Sequence, residues 1–198
     1  ANQLDFVGSN FVTAGGNDIT FRGNVNLAPN GAGGTRNFNM AGTAMSFFRG
    51  VISGADSNVI KNGAQWTVFS GENTYTGATT ISGGGLWTTA NVAPGVNGPF
   101  GNSFSPINLG SAILGSAGEI TLSRDIAVSG VGLIVGRTLQ DTTITAGIAI
   151  ASTQSLTVNQ TTTSVGNFRG GRILLNGPIS GPGALFLGDT SGTDNRTG

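Results

Sequence analysis

Residues 71–86 read GENTYTGATTISGGGL. Asn73-Thr74-Tyr75-Thr76 is a short β-prone piece, and Gly77 permits a sharp bend after it. Thr79-Thr80-Ile81 starts a second strand; Gly83-Gly84-Gly85 then turns the chain before Leu86 and Trp87 begin a third. Three short strands separated by glycine corners suit one coil of a parallel β-solenoid.

The same pattern extends in both directions. Upstream, Leu4 to Val7, Asn10 to Thr13, Ile19 to Phe21 and Asn24 to Leu27 are runs of three or four residues with glycines between them. Val25 and Leu27 alternate with Asn24 and Asn26, as a strand with one buried side requires. Asn30 to Gly34 forms a turn, and the pattern resumes at Phe38, Met40, Met45 to Phe48, Val51-Ile52, Val59-Ile60 and Trp66 to Phe69. No segment sustains an i, i+3, i+4 apolar period, and each glycine would weaken a helix by about 1 kcal/mol. The chain is expected to be all β.

Composition narrows the function classes. There are 35 glycines without a collagen period, and the 37% of hydrophobic residues fall in short alternating runs, which excludes a disordered chain. Lys plus Arg and Asp plus Glu both number 9, so no net charge recruits nucleic acid. No apolar run approaches the roughly 20 residues of a membrane helix, so this segment is not expected to insert in a membrane. With no initiator Met and no signal peptide, the chain reads as a mature or excised piece of something secreted.

Two periodicities are visible. Phe48-Arg49-Gly50 recurs as Phe168-Arg169-Gly170, and Ile52-Ser53-Gly54 as Ile179-Ser180-Gly181. Asn73 to Gly77 is echoed by Asp194 to Gly198, which makes residues 1–198 one solenoid segment with an internal repeat of about 120 residues (48–77 echoed by 168–198). Within it, Ile120-Thr121 and Ile144-Thr145 open similar strand-turn-strand pieces, and Ile19-Thr20 opens a third. A spacing in the low twenties predicts about nine coils and a rod on the order of 40 Å long, wound right-handed as parallel crossovers favour.

Residues 73–86 also resemble, almost position for position, the autotransporter-associated β-strand repeat of large bacterial surface proteins, whose pattern is N-T-Y-T/S-G-x-T-T-I/V-x-x-G-x-L. That resemblance implies an exported, passenger-type protein, located outside the cell or on its surface, while the expected right-handed parallel β-helix rests on the strand pattern and crossover preference. A stretch ending in N-S-x-S-x-I-x-L-G is common in the resembling family, and here it is Asn102 to Gly110. It closes residues 91–106, NVAPGVNGPFGNSFSP, whose prolines cannot donate to a ladder. The segment is expected to be a loop leaving the solenoid, an adhesive loop whose candidate residues are Pro94, Pro99, Phe100 and Phe104.

Catalytic chemistry is scarce. Without His or Cys there is no Ser-His-Asp or Cys-His set and no usual zinc set, and no metal or cofactor is expected. The acids are mostly single and flanked by Gly, Ser or Asn, which reads as turn chemistry. Glu119, Arg124-Asp125 and Arg137 to Asp141 are the modest concentration on which an alternative rests, a carbohydrate-binding or polysaccharide-cleaving β-helix of the lyase or tailspike kind. The calcium-binding nonapeptide must recur in tandem and Gly15 to Asp18 is a single imperfect fragment of it, while Gly130 to Gly136 lacks the spacing and helix of a dinucleotide loop, so neither is a site.

Asn159-Gln160-Thr161 and Asn195-Arg196-Thr197 are chance-level glycosylation sequons. Trp66, Phe69, Tyr75 and Trp87 are expected to stack as core, with a glycan-binding strip as the other reading. The Phe-Arg-Gly triplets led by Phe21, Phe48 and Phe168 are expected to be corners with Phe inward and Arg outward.

The leading expectation is therefore a non-catalytic structural or adhesive rod. Neither end shows a cap, so neighbouring coils of the same long chain, or identical subunits head to tail, are expected to cover both. Glycans or a host surface are the other expected partners.

Overall fold

In a computed structural model of the chain, residues 2–136, 140–160 and 172–188 are described. Phe168 to Gly170, Asp194 to Gly198, Arg137, Thr161 and the second sequon lie outside them. All regular structure among the described residues is β, in short parallel strands that stack turn upon turn. Among the described residues no helix is long and apolar enough to cross a membrane.

Each turn crosses three faces. The first face stacks Asn10–Thr13, Gly34–Met40, Ser57–Asn62, Thr79–Ile81, Ile107–Leu109, Ile126–Val128, Ile148–Ile150 and Ile179–Ser180. The second stacks Ile19–Phe21, Ser46–Phe48, Trp66–Phe69, Gly85–Thr88, Ile113–Ser116, Val131–Gly136, Ser155–Gln160 and Ala184–Gly188. The third is split: Leu4–Asp5, Val25–Asn26 and Ile52–Ser53 at one end, Ile120–Leu122, Thr142–Ile144 and Ile173–Leu175 at the other. Eight strands on each long face make about seven turns, fewer than the nine expected. The average was misjudged because turns differ in length: contacts one turn apart span 20 residues at Asn58–Ala78, 22 at Asp125–Gly147, but 28 at Thr80–Asn108 and 31 at Asp141–Arg172.

Register corrects the finer period as well. Ile120 sits on Thr142, so Ile144 pairs with Leu122 and not with Ile120. Ile19 lies on the second face, whereas Ile120 and Ile144 lie on the third. Ile126 does sit on Ile148, as read. Of the long repeat, Ile52–Ser53 lies on the third face and Ile179–Ser180 on the first.

Parallel in-register stacking turns each inward position into a ladder along the axis. One ladder runs Phe11, Phe38, Lys61, Ile81, Leu109, Val128, Ile150. Another runs Phe21, Phe48, Phe69, with the Phe21 and Phe48 rings stacked at 4.6 Å and Phe48 edge-on to Phe69 at 5.4 Å. Phe6, Phe11 and Phe38 complete an aromatic core at this end, while aliphatic residues fill the other. Each such buried side chain contributes about 1.5–3 kcal/mol.

The Phe-Arg-Gly reading holds for the two described copies. Phe48 is buried, Phe21 half-buried, and Arg22 and Arg49 are exposed at the corner that follows. A third corner, Phe69-Ser70-Gly71, has the same geometry without the arginine. Its glycines stack so closely that a Cβ on Gly71 would lie 2.5 Å from the Gly50 carbonyl oxygen, and one on Gly50 2.5 Å from the Gly23 carbonyl carbon. Real Cβ atoms do not approach a backbone this closely, so the corner admits only glycine.

The four aromatics divide. Phe69 and Tyr75 are fully buried inside, but Trp66 and Trp87 lie on the outer side of the second face, 5.3 Å apart. There Trp87 packs with Val68 and Val135 in a small second cluster, over the space left by Gly115.

Lys61 interrupts an apolar ladder and is fully buried. Its Nζ reaches the corner and donates to the carbonyls of Asn62 (2.8 Å), Gly63 (3.0 Å) and Gly83 (3.0 Å), tying two turns together. Burial lowers its pKa to about 8 from an ordinary 10.5. Between those values the unfolded chain holds a proton the folded one has released, so stability rises with pH across that window.

Two outcomes follow. Gly50→Ala should cost more than about 2 kcal/mol in urea unfolding, since the corner must shift backbone against backbone. Unfolding measured from pH 7 to 10.5 should show a gain of up to about 3 kcal/mol above pH 8 that disappears in Lys61→Met. A flat profile in the parent chain would contradict the burial of the amine.

Candidate functional site

The backbone of a solenoid strand is satisfied by the turns above and below, but at corners the chain tilts out of register and leaves amides open. Among the described residues, six Asx side chains on one turn accept a backbone N–H from the next: Asp18 from Met45 (2.8 Å), Asn24 from Val51 (3.1 Å), Asn58 from Ala78 (2.8 Å), Asn91 from Thr121 (2.8 Å), Asp125 from Gly147 (2.9 Å) and Asp141 from Arg172 (2.7 Å). The acids read from sequence as turn residues are, in these three cases, braces between turns. Asp141 also pairs with the Arg172 guanidinium at 2.7 Å, which holds its carboxyl below the usual range.

This bears on the carboxylate concentration around residues 119–141. Asp125 and Asp141 each spend an oxygen on a corner amide, Glu119 is exposed, and Arg124 is buried. Arg137 lies outside the described residues. Among those residues no group of three or more acids forms a metal-binding cluster. An open cavity of about 320 Å³ between residues 2–4 and 20–25 is lined by Arg22, with amides, a hydroxyl and apolar groups, and by no carboxylate.

The 91–106 segment does not simply leave the solenoid. It is a two-legged insertion that fills the gap in the third face. Residues 91–93 pair forward, with Val92 donating to Thr121 O (3.0 Å) and accepting from Ser123 N (2.8 Å). Residues 98–102 pair backward, with Gly98 donating to Asn73 O (3.2 Å) and Asn102 to Tyr75 O (2.8 Å). Pro99 fits because its carbonyl is the group used, accepting from Asn73 Nδ2 at 2.7 Å.

Of the four candidate loop residues, the structure buries Pro99 and Phe100 and exposes Pro94 and Phe104. Phe100 is fully buried in the main core. Phe104 is 82% exposed.

The organising stretch provides the clamp beneath. Asn73 accepts from Ile52 N (2.7 Å) on the preceding turn while donating to Pro99 O. Thr76 Oγ1 accepts from Asp56 N (2.9 Å). Thr79 spends its one hydroxyl proton on Phe100 O (3.0 Å), so the contact between Tyr75 Oη and Thr79 Oγ1 (2.9 Å) must run with Tyr75 as donor. Gly77 and Gly101 make room: a Cβ on Gly77 would lie 2.5 Å from the Ser57 carbonyl carbon, and one on Gly101 2.6 Å from Tyr75 O.

Arg124 closes the clamp from the following turn. It is fully buried, donating from Nη1 to Phe100 O and from Nε to Ser105 O, each at 2.6 Å. Its Nη2 has no hydrogen-bond partner. Burial pulls the guanidinium below its ordinary range and pushes the neighbouring Tyr75 hydroxyl well above the phenol range. Sequence reasoning counted Arg124 in the modest charged concentration of residues 119–141; its position two residues before the inward Ile126 was the signal that it points inward.

Truncating Arg124 to Ala opens a cavity and strips Ser105 O of its donor, which should cost more than about 3 kcal/mol; Arg124→Met, which refills the volume and removes a buried charge, should cost less than half of that. Hydrogen exchange of the Gly98 and Asn102 amides should accelerate in both. Unchanged exchange would mean the guanidinium does not hold the insertion.

A family model described as passenger-associated-transport-repeat matches residues 59–87, and no curated protein or solved structure matches the chain. The match runs from Val59 on the first face, through Thr79 directly above it, to Trp87 on the second, which is one full turn and the start of another. It contains the clamp residues Asn73, Tyr75, Thr76 and Thr79. The stretch that matches the passenger-associated-transport-repeat model, residues 59–87, is thus built as a turn of a parallel β-solenoid.

Proposed function

We propose that this chain is a rod segment of an exported bacterial surface or extracellular protein, non-catalytic, with the 94–97 and 104–106 tip as an adhesive element. The observation that carries this reading is the coincidence of a passenger-associated transport repeat with one turn of the solenoid. The described ionisable side chains support it further. Lys61, Arg124, Asp18, Asp125 and Asp141 all hold one turn to another. Such chemistry makes a stiff spacer.

The rod reading extends to its neighbours. The strand Ala184–Gly188 is exposed along its whole length, with Leu187, the position stacked on buried Val158, at 70%. At the opposite end Leu4, the position stacked on buried Val25, is 37% exposed. An open rung offers both unpaired backbone and core side chains, a template for another strand. Neighbouring turns of the same longer chain, or identical subunits head to tail, cover these edges.

Electron microscopy of the native material should show rods or filaments with a repeat near 4.8 Å along the axis. The isolated chain should self-associate with concentration in light scattering, and Leu187→Lys should reduce this. A monodisperse, compact monomer at every concentration would sink the end-to-end reading.

A further inference from the structure

The tip of the insertion is held more firmly than a spacer loop requires. Beneath it lie the buried Phe100 ring and the carbonyls of Pro99, Phe100 and Ser105, gripped by Asn73, Thr79 and Arg124. Across the tip itself, Gly95 donates to Ser103 O (3.1 Å) and Asn102 Nδ2 to Asn97 Oδ1 (3.0 Å). Gly95 at φ 65° lets the end of the Phe104 ring rest against the backbone, where a Cβ would meet it, and leaves most of the ring in solvent. A rigid support for an exposed aromatic ring is preorganisation, which lowers the entropy cost of binding.

We propose that Phe104, with Asn97 and Asn102, forms a subsite for one neutral sugar unit of a polysaccharide. Three features choose this ligand. No residue from 91 to 106 is charged, so the tip has nothing to select an anion or a cation. The Asn97–Asn102 bond leaves the Asn97 amide protons and the Asn102 carbonyl unpaired, a donor and an acceptor suited to sugar hydroxyls. The negative face of an aromatic ring attracts the polarised C–H groups of a pyranose. A protein partner fits less well: it needs about 1,200 Å² and anchor pockets, and the tip offers one ring and two amides.

This inference rests on the adhesive reading of the tip, and native electrophoresis through gels containing soluble polysaccharides separates the two. The full chain should be retarded by at least one of mannan, galactomannan or xyloglucan, and not by alginate. Phe104→Ala should weaken retardation about 10-fold, Phe104→Tyr should retain it, and Asn97→Ala should weaken it. Because Phe104 is so exposed, thermal unfolding should be unchanged in these variants. Absence of retardation by all three neutral polymers, retardation by alginate alone, or equal retardation of Phe104→Ala would each overturn the saccharide subsite. If rods that fail in this way still adhere to cells through the tip, the adhesive reading stands without it.

Discussion

Corners are the constraint on which this molecule depends. Along a strand, every amide and carbonyl meets its counterpart one turn away, and stacking is nearly self-correcting. At a corner the backbone changes direction, and a buried amide left open there costs about 1–3 kcal/mol. The chain answers with two devices that use the axial repeat itself. Asx side chains reach one turn up to accept an N–H, as Asp18, Asn58 and Asp125 do. Buried cations donate inward to carbonyls, as Lys61 and Arg124 do. Both devices bind one turn to the next, so closing each corner also sets the register of the rod.

This explains why charge sits inside a chain so poor in it. Arg36, Lys61 and Arg124 all break apolar inward positions, and each donates to a backbone carbonyl: Leu27, Gly83 and Phe100 among them. No carboxylate is needed because carbonyls that would otherwise stay open supply the negative ends of their dipoles. The arrangement is demanding, since a cation half-satisfied in a core is worse than none. At Arg124 the Phe100 carbonyl takes two donors, one from Thr79 and one from Nη1. The insertion is therefore part of the core, and could not be deleted without stranding a guanidinium.

The sequence showed the architecture well because short alternating runs and glycine punctuation are local properties. Most strand positions, the two described Phe-Arg-Gly corners and the repeat at residues 73–86 were legible for that reason; Asn73 to Thr76, read as a strand, forms none, because the Asn73 and Thr76 side chains are spent on backbone groups of other turns. Turn number was not, because an insertion such as 91–106 adds residues without adding a rung to the long faces. Proline misled in the same segment. Pro99 cannot donate to a ladder, but its carbonyl accepts from a side chain, Asn73, and pattern reading assigns no role to that bond. Trp66 and Trp87 looked like core beside Phe69 because sequence distance does not say which side of a strand faces in; residue parity does, and both tryptophans fall on the outward parity of their strands.

The repeat signature has a physical meaning in this light. Asn73 bridges the preceding turn and the insertion, Tyr75 and Thr79 form a one-way relay of hydroxyl protons into the Phe100 carbonyl, and Gly77 lets the next strand approach Ser57. Each of these residues acts between turns, not within its own. Such a motif fixes how one coil meets its neighbours on both sides and leaves the tip above it free to vary. A fold built this way separates two demands: the clamp holds geometry along the rod, and Phe104, which carries none of that geometry, is left in solvent.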